Sequence, residues 1–286
     1  MPRLRIVTDS TARFPDPDFL ASHDVTIVPM TIRGGHAARD DSPEQHLDEF
    51  YDLFAPHQAL PVAEPPPPEL FAGIYRRLSG ETDQILSIHN SSGMSATVNH
   101  AQLASEQFLG RANVQIIDSQ TISVGLGLLV QAATEAARRG ESFDEVIRIV
   151  RGMIPRLYLV FFLEDLSYLE HNGLVSRSQA VLGNMLGILP FLTIEQGKLL
   201  PMEKVRSRPR ALEKLVEFVS EFSELDHLGI LYPGRGPNEE TLQLAERIQA
   251  VHPAMPISMS CYGPAVATFV GITGLGVVVM DADGGG

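Results

Sequence analysis

With one cysteine, Cys261, in 286 residues, the chain has no pair from which to close an internal disulfide, a usage that fits a reducing, cytoplasmic setting. Positive charge is scarce as well: 22 Lys and Arg face 35 Asp and Glu, for a formal net charge of -13. The densest basic tract, Lys204 to Arg210, is short. A nucleic-acid footprint needs a basic patch strong enough to overcome that self-repulsion, so no nucleic-acid partner is expected. The nine histidines show neither H-x-H nor H-E-x-x-H spacing, and without a cysteine pair no metal site is expected. The opening "MPRLRIVTDS" lacks the apolar core of a signal peptide and reads as a first strand. Two long uncharged stretches, Ser178 to Ile194 and Cys261 to Met280, are cut by Gly183, Gly187 and Pro190 and by Gly263, Pro264, Gly271, Gly274 and Gly276. The second reads as two buried strands around a glycine turn, and no integral membrane segment is expected.

What is present is the material of sizeable cores: 44% of residues are apolar and 20% charged. The length suits about two domains. In the first half, candidate strands at Leu4 to Thr8, Val25 to Ile32, Gln84 to Ile88 and Val114 to Ile117 alternate with helical spacing at Leu70/Phe71/Ile74/Leu78 and Phe143/Val146/Ile147/Val150. Such alternation predicts an α/β fold: a mostly parallel sheet with helices on both faces. From Tyr158 the pattern changes to strands near 159–163, 187–194, 197–205, 228–232 and 257–261, with helices after Pro209 and over Thr241 to Val251. That half reads as an α+β two-layer sandwich. A boundary near Pro155 gives domains 1–155 and 156–286. The proline-rich tract 60–68 must be extended up to a helix beginning near Glu69, as a strap lying on the sheet. Gly125-Leu126-Gly127 reads as close helix packing and Gly234-Arg235-Gly236-Pro237 as a turn.

Three predicted strands end in small polar residues: Thr8-Asp9-Ser10, Asn90-Ser91-Ser92 and Asp118-Ser119. Ligands of open α/β sheets bind at the carboxyl ends of strands, so these ends should converge on one crevice. Taken singly, each reads equally as a turn or a helix cap. The longest such segment, "SIHNSSGMSAT" (Ser87 to Thr97), has a strand before it and helical spacing after it. It admits two chemistries. Gly93-Met94-Ser95-Ala96 resembles the G-x-S-x-G elbow of hydrolases, for which Asp118, Asp165 or Asp226 with His227 or His252 satisfy the chain order of a triad. The same hydroxyls and amides also suit an anion held at a helix N-terminus.

Four segments in order, "IVTDST", "SIHNSSGMSAT", "VQIIDSQTISVGLG" and "LSYLEHNGLVSRSQAVLGNMLGILPFLTIEQGKL", resemble the DegV family of bacterial fatty-acid-binding proteins over nearly the whole chain. The second stands against the family's S-S-x-L-S-G-T. The resemblance implies two α/β domains that bury one long-chain fatty acid, such as palmitate, in a tunnel between them with its carboxylate outermost. It implies no cofactor and no turnover: a carrier that hands its ligand to a fatty acid kinase for phospholipid synthesis. Carried over by position, Ser95 is the hydroxyl ligand of the carboxylate, with Ser91 and Ser92 beside it, Arg206 near the head group, and Thr8, Asp9 and Ser10 in the same crevice.

This chain departs from the pattern at three head-group positions. Ala63-Glu64-Pro65-Pro66-Pro67 replaces T-S-Q-P-S, Asn172-Gly173-Leu174 replaces G-G-R, and Phe269 stands for the histidine of H-T-G-x-G. Losing one hydrogen bond to a charged group costs about 1.5–3 kcal/mol, which weakens the binding of a long tail without abolishing it. The expectation is a divergent member that still binds lipid and partners poorly with a kinase. Two other readings compete: a pocket repurposed for another amphiphile or an ester, favoured by Ala63, Leu174 and Phe269, and a serine hydrolase using Ser95. If Glu64 entered the pocket, its charge would repel a carboxylate.

Overall fold

The computed structural model describes residues 4–42, 47–50, 52–54 and 59–282. The chain opens with β1 (Arg5–Asp9), the one-turn helix α1 (Phe19–Ser22), β2 (Val25–Val28), β3 (Thr31–Gly34), β4 (Ala37–Asp40) and β5 (Val62–Glu64). Then come α2 (Pro68–Leu78), β6 (Gln84–His89), α3 (Thr97–Ser105), β7 (Asn113–Asp118), α4 (Val124–Arg138) and α5 (Phe143–Met153). The remainder runs β8 (Leu157–Phe162), α6 (Ser167–His171), α7 (Arg177–Met185), β9 (Leu189–Glu195), β10 (Lys198–Val205), α8 (Arg208–Ser220), β11 (Leu225–Tyr232), α9 (Glu239–Val251), β12 (Ile257–Cys261), α10 (Pro264–Val270) and β13 (Leu275–Asp281).

The first sheet is parallel, in the order β2-β1-β6-β7. Side chains alternate across a strand, so Ile6, Leu86, Ile88 and Ile117 pack with Leu129 of α4 and Val146 of α5. Val7 and Ile85 face the other way, onto Phe71 and Tyr75 of α2 and Ala101 of α3. Helices therefore cover both faces, as the alternation predicts. Local signals set the helix ends. Pro68 is the first residue of α2, where a missing N–H costs nothing. Ser142 caps α5 by accepting from the Glu145 amide. Gly127 marks close packing of α4: a Cβ there would stand 2.8 Å from the Arg13 carbonyl carbon.

The second sheet is mixed, in the order β10-β9-β8-β13-β11-β12. One face packs on α8 and α9 through residues such as Phe162, Phe191, Leu215 and Leu244. The opposite face, with Leu159, Phe161, Leu192 and Val278, shares a core with Met30, Ile32, Ile122 and Val124 from the first half of the chain. That apolar seam is where the halves meet.

Three expectations need correction. The segment Val25 to Ile32 is two strands in different sheets, because Pro29 has no N–H to continue the ladder beside β1. Part of the proline tract, expected as a strap lying on the sheet, is itself a strand: Val62–Glu64 is β5, the edge of a separate antiparallel sheet ordered β4-β3-β5. Between Cys261 and Met280 lies the helix α10 as well as strand, started by Pro264 and ended at Gly271, whose φ of 76° suits glycine.

Candidate functional site

The turn after β6 is built around the carbonyl of Ser91, which accepts from the amides of Met94 and Ser95 (3.0 and 3.1 Å). Its hydroxyl donates to the carbonyl of Gly197 at the tip of the β9–β10 hairpin and accepts from the Gly93 amide. A Cβ on Gly93 would stand 2.9 Å from the Gly197 carbonyl carbon and 3.2 Å from Cγ of Lys198. A glycine is thus required where the hairpin lands on the turn. Ser95 is half-buried, its hydroxyl sharing a hydrogen bond with Thr97 Oγ1 at 2.8 Å and accepting from the Thr97 amide. Helix α3 begins there without a side-chain cap.

Beneath the turn, the strand ends form a sealed polar core. Tyr75 Oη donates to Ser87 Oγ (2.8 Å), and Ser87 Oγ donates to His89 Nε2 (2.7 Å). His89 Nδ1 in turn donates to Asp9 Oδ2 (3.2 Å). Asp9 also accepts from the amides of Thr11 and Asn90 and from the Thr11 hydroxyl. All four members of the chain are buried, and burial pushes the Tyr75 phenol far above its ordinary range. This Ser–His–Asp series is a buried relay: Ser87 is 0% exposed.

A second buried cluster links the halves. Arg13 donates to the carbonyls of Ser10 and Ala12 and faces Asp41 at 3.4 Å. Its guanidinium fills the space where a Cβ of Gly263 would be, 2.5 Å from Cζ. Burial pushes Asp41 up to about 6 against the pull of Arg13 and the Ser10 hydroxyl.

Above these clusters the seam is apolar. Met94 of the turn, Ala63 of β5, Leu174 after α6 and Phe269 of α10 all pack against it, partly buried. Alternation along β5 decides the fate of the neighbouring acid: Ala63 faces the seam, whereas Glu64 turns outward to a two-pronged pair with Arg33 (2.7 and 2.9 Å), which holds its carboxyl below the usual range.

The sequence profile of the DegV family, a group described as uncharacterised proteins, matches residues 3–282. The chain belongs to the DegV family. A DegV domain-containing protein of Deinococcus radiodurans is 32% identical over 219 residues, 77% of each chain. A fatty-acid-binding DegV protein of Thermus thermophilus has the same fold, with a TM-score of 0.83 at 27% identity over 98% of this chain and 99% of its own. DegV of Bacillus subtilis, a fatty acid binding protein, gives 0.81 at 26% identity over 98% and 100%.

Seen on the DegV fold, the predicted site residues separate into groups. Ser95, Ala63 and Phe269 adjoin the seam or the turn that borders it. Ser91 is the strut to the hairpin. Ser92 is exposed, with its hydroxyl and amide both directed to the Asp118 carboxylate. Asp9 and Ser10 are sealed, Ser10 Oγ accepting from the Met30 amide and donating to Asp41. Thr8 is buried with its hydroxyl unpartnered. Arg206 is not brought to the turn. It follows the far end of β10, eight residues beyond Lys198, a strand length of about 26 Å. Sequence reasoning missed the β9–β10 hairpin as part of the site. Glu195-Gln196-Gly197-Lys198 between apolar runs does signal a tight turn, but nothing local says that its tip meets Ser91.

Proposed function

We propose that this DegV protein binds one long-chain fatty acid such as palmitate between its halves. The tail occupies the apolar seam and the carboxylate lies at Ser91–Ser95, in a carrier without turnover of its own. The observation that carries this reading is the position of the uncapped start of α3 and the half-buried Ser95 at the edge of an apolar seam contributed by both halves. The amides of Ser91–Ser95 are engaged within the protein, so the compensation comes from the Ser95 hydroxyl and the first-turn amides of α3, without forcing a second charge into the interior. Burying the methylenes of a palmitoyl tail at ~0.8 kcal/mol each gives roughly 11 kcal/mol gross, enough for a ligand to survive purification. The fatty-acid-binding relatives of the same fold support the ligand class.

A serine hydrolase would need a base at Ser95, whose hydroxyl is instead shared with Thr97. With Leu174 and Phe269 packed apolar against the seam, transfer to a fatty acid kinase catalytic subunit is expected to be slow. The same packing favours a second ligand class, an amphiphile with an uncharged head. Denaturing extraction and mass spectrometry of natively purified protein, beside a Ser95→Ala variant, separate the two. A stoichiometric fatty acid in the parent, reduced in the variant, supports the carrier. An ester or alcohol supports the second class, and an empty extract refutes both.

A further inference from the structure

Arg13, beneath the turn, is buried among carbonyls and Asp41. Arg206 and Arg208 follow the far end of β10, and Arg208 is tied to Glu164 and Glu240. Among the described residues of the turn and the hairpin, Lys198 is the cation left. Lys198 is exposed at the hairpin tip, with its Cγ 3.2 Å from where a Cβ of Gly93 would be. Its Cγ thus lies beside the turn, and the three remaining atoms, Cδ, Cε and Nζ, belong to a flexible side chain long enough to bring the ammonium to it. Among the described residues no carboxylate lies within ion-pair distance of Lys198.

The acid on this side of the turn is Asp118, engaged by the Ser92 amide and hydroxyl and by the Gln120 amide, with no cation in ion-pair contact among the described residues. A carboxylate arriving at Ser91–Ser95 therefore meets Asp118, while Glu195, the cross-strand partner of Lys198, stands across the hairpin and competes for the same ammonium. The cation able to offset Asp118 comes from the opposite half of the chain.

We infer that Lys198 is the charge-selecting residue of the site: its ammonium closes over an anionic head group at the Ser91–Ser95 turn and makes the site prefer a carboxylate to an uncharged head. This rests on the proposed fatty acid site. The hairpin tip becomes part of the binding surface, and the contact of Gly93 with Gly197 sets where the charge stands. Because Lys198 is exposed, its effect is of the solvent-screened kind and weakens with salt.

The test compares palmitate with 1-hexadecanol, which has the same chain and no charge, on the whole protein stripped of ligand. Affinities are measured at low and high salt for the parent and for Lys198→Gln, Lys198→Glu and Lys198→Arg. Expected is an approximately two- to fivefold weaker palmitate affinity for Lys198→Gln at low salt, and a larger loss for Lys198→Glu. Lys198→Arg restores binding, high salt narrows the differences, and hexadecanol affinity does not move. Undiminished palmitate affinity in Lys198→Glu, in a parent that binds palmitate, overturns the inference alone. Equal losses for palmitate and hexadecanol also overturn it, by showing a packing effect. A parent that binds hexadecanol but not palmitate, or neither, refutes the fatty acid reading and this inference with it.

Discussion

Substituting alanine for Gly93 tests whether the hairpin and the serine turn are held in fixed register. No positive φ restricts this glycine, so the obstacle is the other half of the chain: the new Cβ would stand 2.9 Å from the Gly197 carbonyl carbon and nearer its oxygen. Optimal carbon separation is about 3.5 Å, so the hairpin must retreat by roughly 0.5–1 Å. That retreat breaks the Ser91 hydroxyl bond to Gly197, a loss of about 1 kcal/mol, within a total of about 1–3 kcal/mol for an overpacked contact. The apparent melting midpoint should fall by roughly 2–4 °C per kcal/mol. Gly73→Ala is the matched control: Gly73 is exposed within α2 with nothing within 4 Å of its new Cβ. A helix gains roughly 0.5–1 kcal/mol from that change. Calorimetry of both variants decides the matter. If Gly93→Ala melts with or above the parent while Gly73→Ala is stabilised, the hairpin is not seated against the turn and the geometry of the site is wrong.

Asp41 and His227 make opposite predictions on the acid side. Asp41 is raised to about 6 chiefly by burial, so the folded chain keeps a proton that the unfolded chain releases. Its contribution to stability rises as pH falls from about 7 to about 4, by up to ~3 kcal/mol. Urea denaturation across that window should lose this gain in Asp41→Asn. Burial lowers His227 to about 4, so its neutral folded form loses stability as pH falls from about 6.5 to about 4. His227→Gln should therefore leave a steeper gain towards acid than the parent shows, and a flatter one counts against the assignment. His89→Phe removes one donor to Asp9 and the acceptor of Ser87, and urea denaturation should register a loss of roughly 2–4 kcal/mol. A loss below about 1 kcal/mol would mean that the relay is not structural. Glu64 points away from the seam, so Glu64→Gln should leave the extracted lipid unchanged. An altered lipid content would place that carboxylate in the pocket.

The parallel sheet was legible because its strands are buried on both faces and end in polar residues that mark the turns. The extent of a strand was less so. Val25 to Ile32 looks continuous by β-propensity, yet Pro29 ends one strand and a new one begins at Thr31 in another sheet. In α10 the signs were present, Pro264 at the start and Gly271 past the end, but an uncharged, glycine-bearing stretch masks a helix that has no polar face because it is buried all round. The serine turn was recognisable from composition, whereas the partners of its hydroxyls were not. Ser91 and Gly197 are 106 positions apart, and no local propensity encodes a contact of that range. Ser92 and Asp118 were both singled out, but for a crevice and not for each other. Arg206, assigned to the head group through the family resemblance, follows the end of β10 opposite the hairpin tip.

The strand order of the mixed sheet also bears on how the protein is made. β13 lies between β8 and β11, antiparallel to both, so the middle of the sheet is synthesised after each of its neighbours. Until Leu275 to Asp281 leave the ribosome, β8–β10 and β11–β12 are two separate pieces with open edges and exposed apolar faces. The parallel sheet, whose last strand ends at Asp118, has no such dependence and can close early. The seam takes Val278 from β13, so it is complete only with that strand in place, and a chain truncated before Leu275 would leave β8 and β11 with open edges.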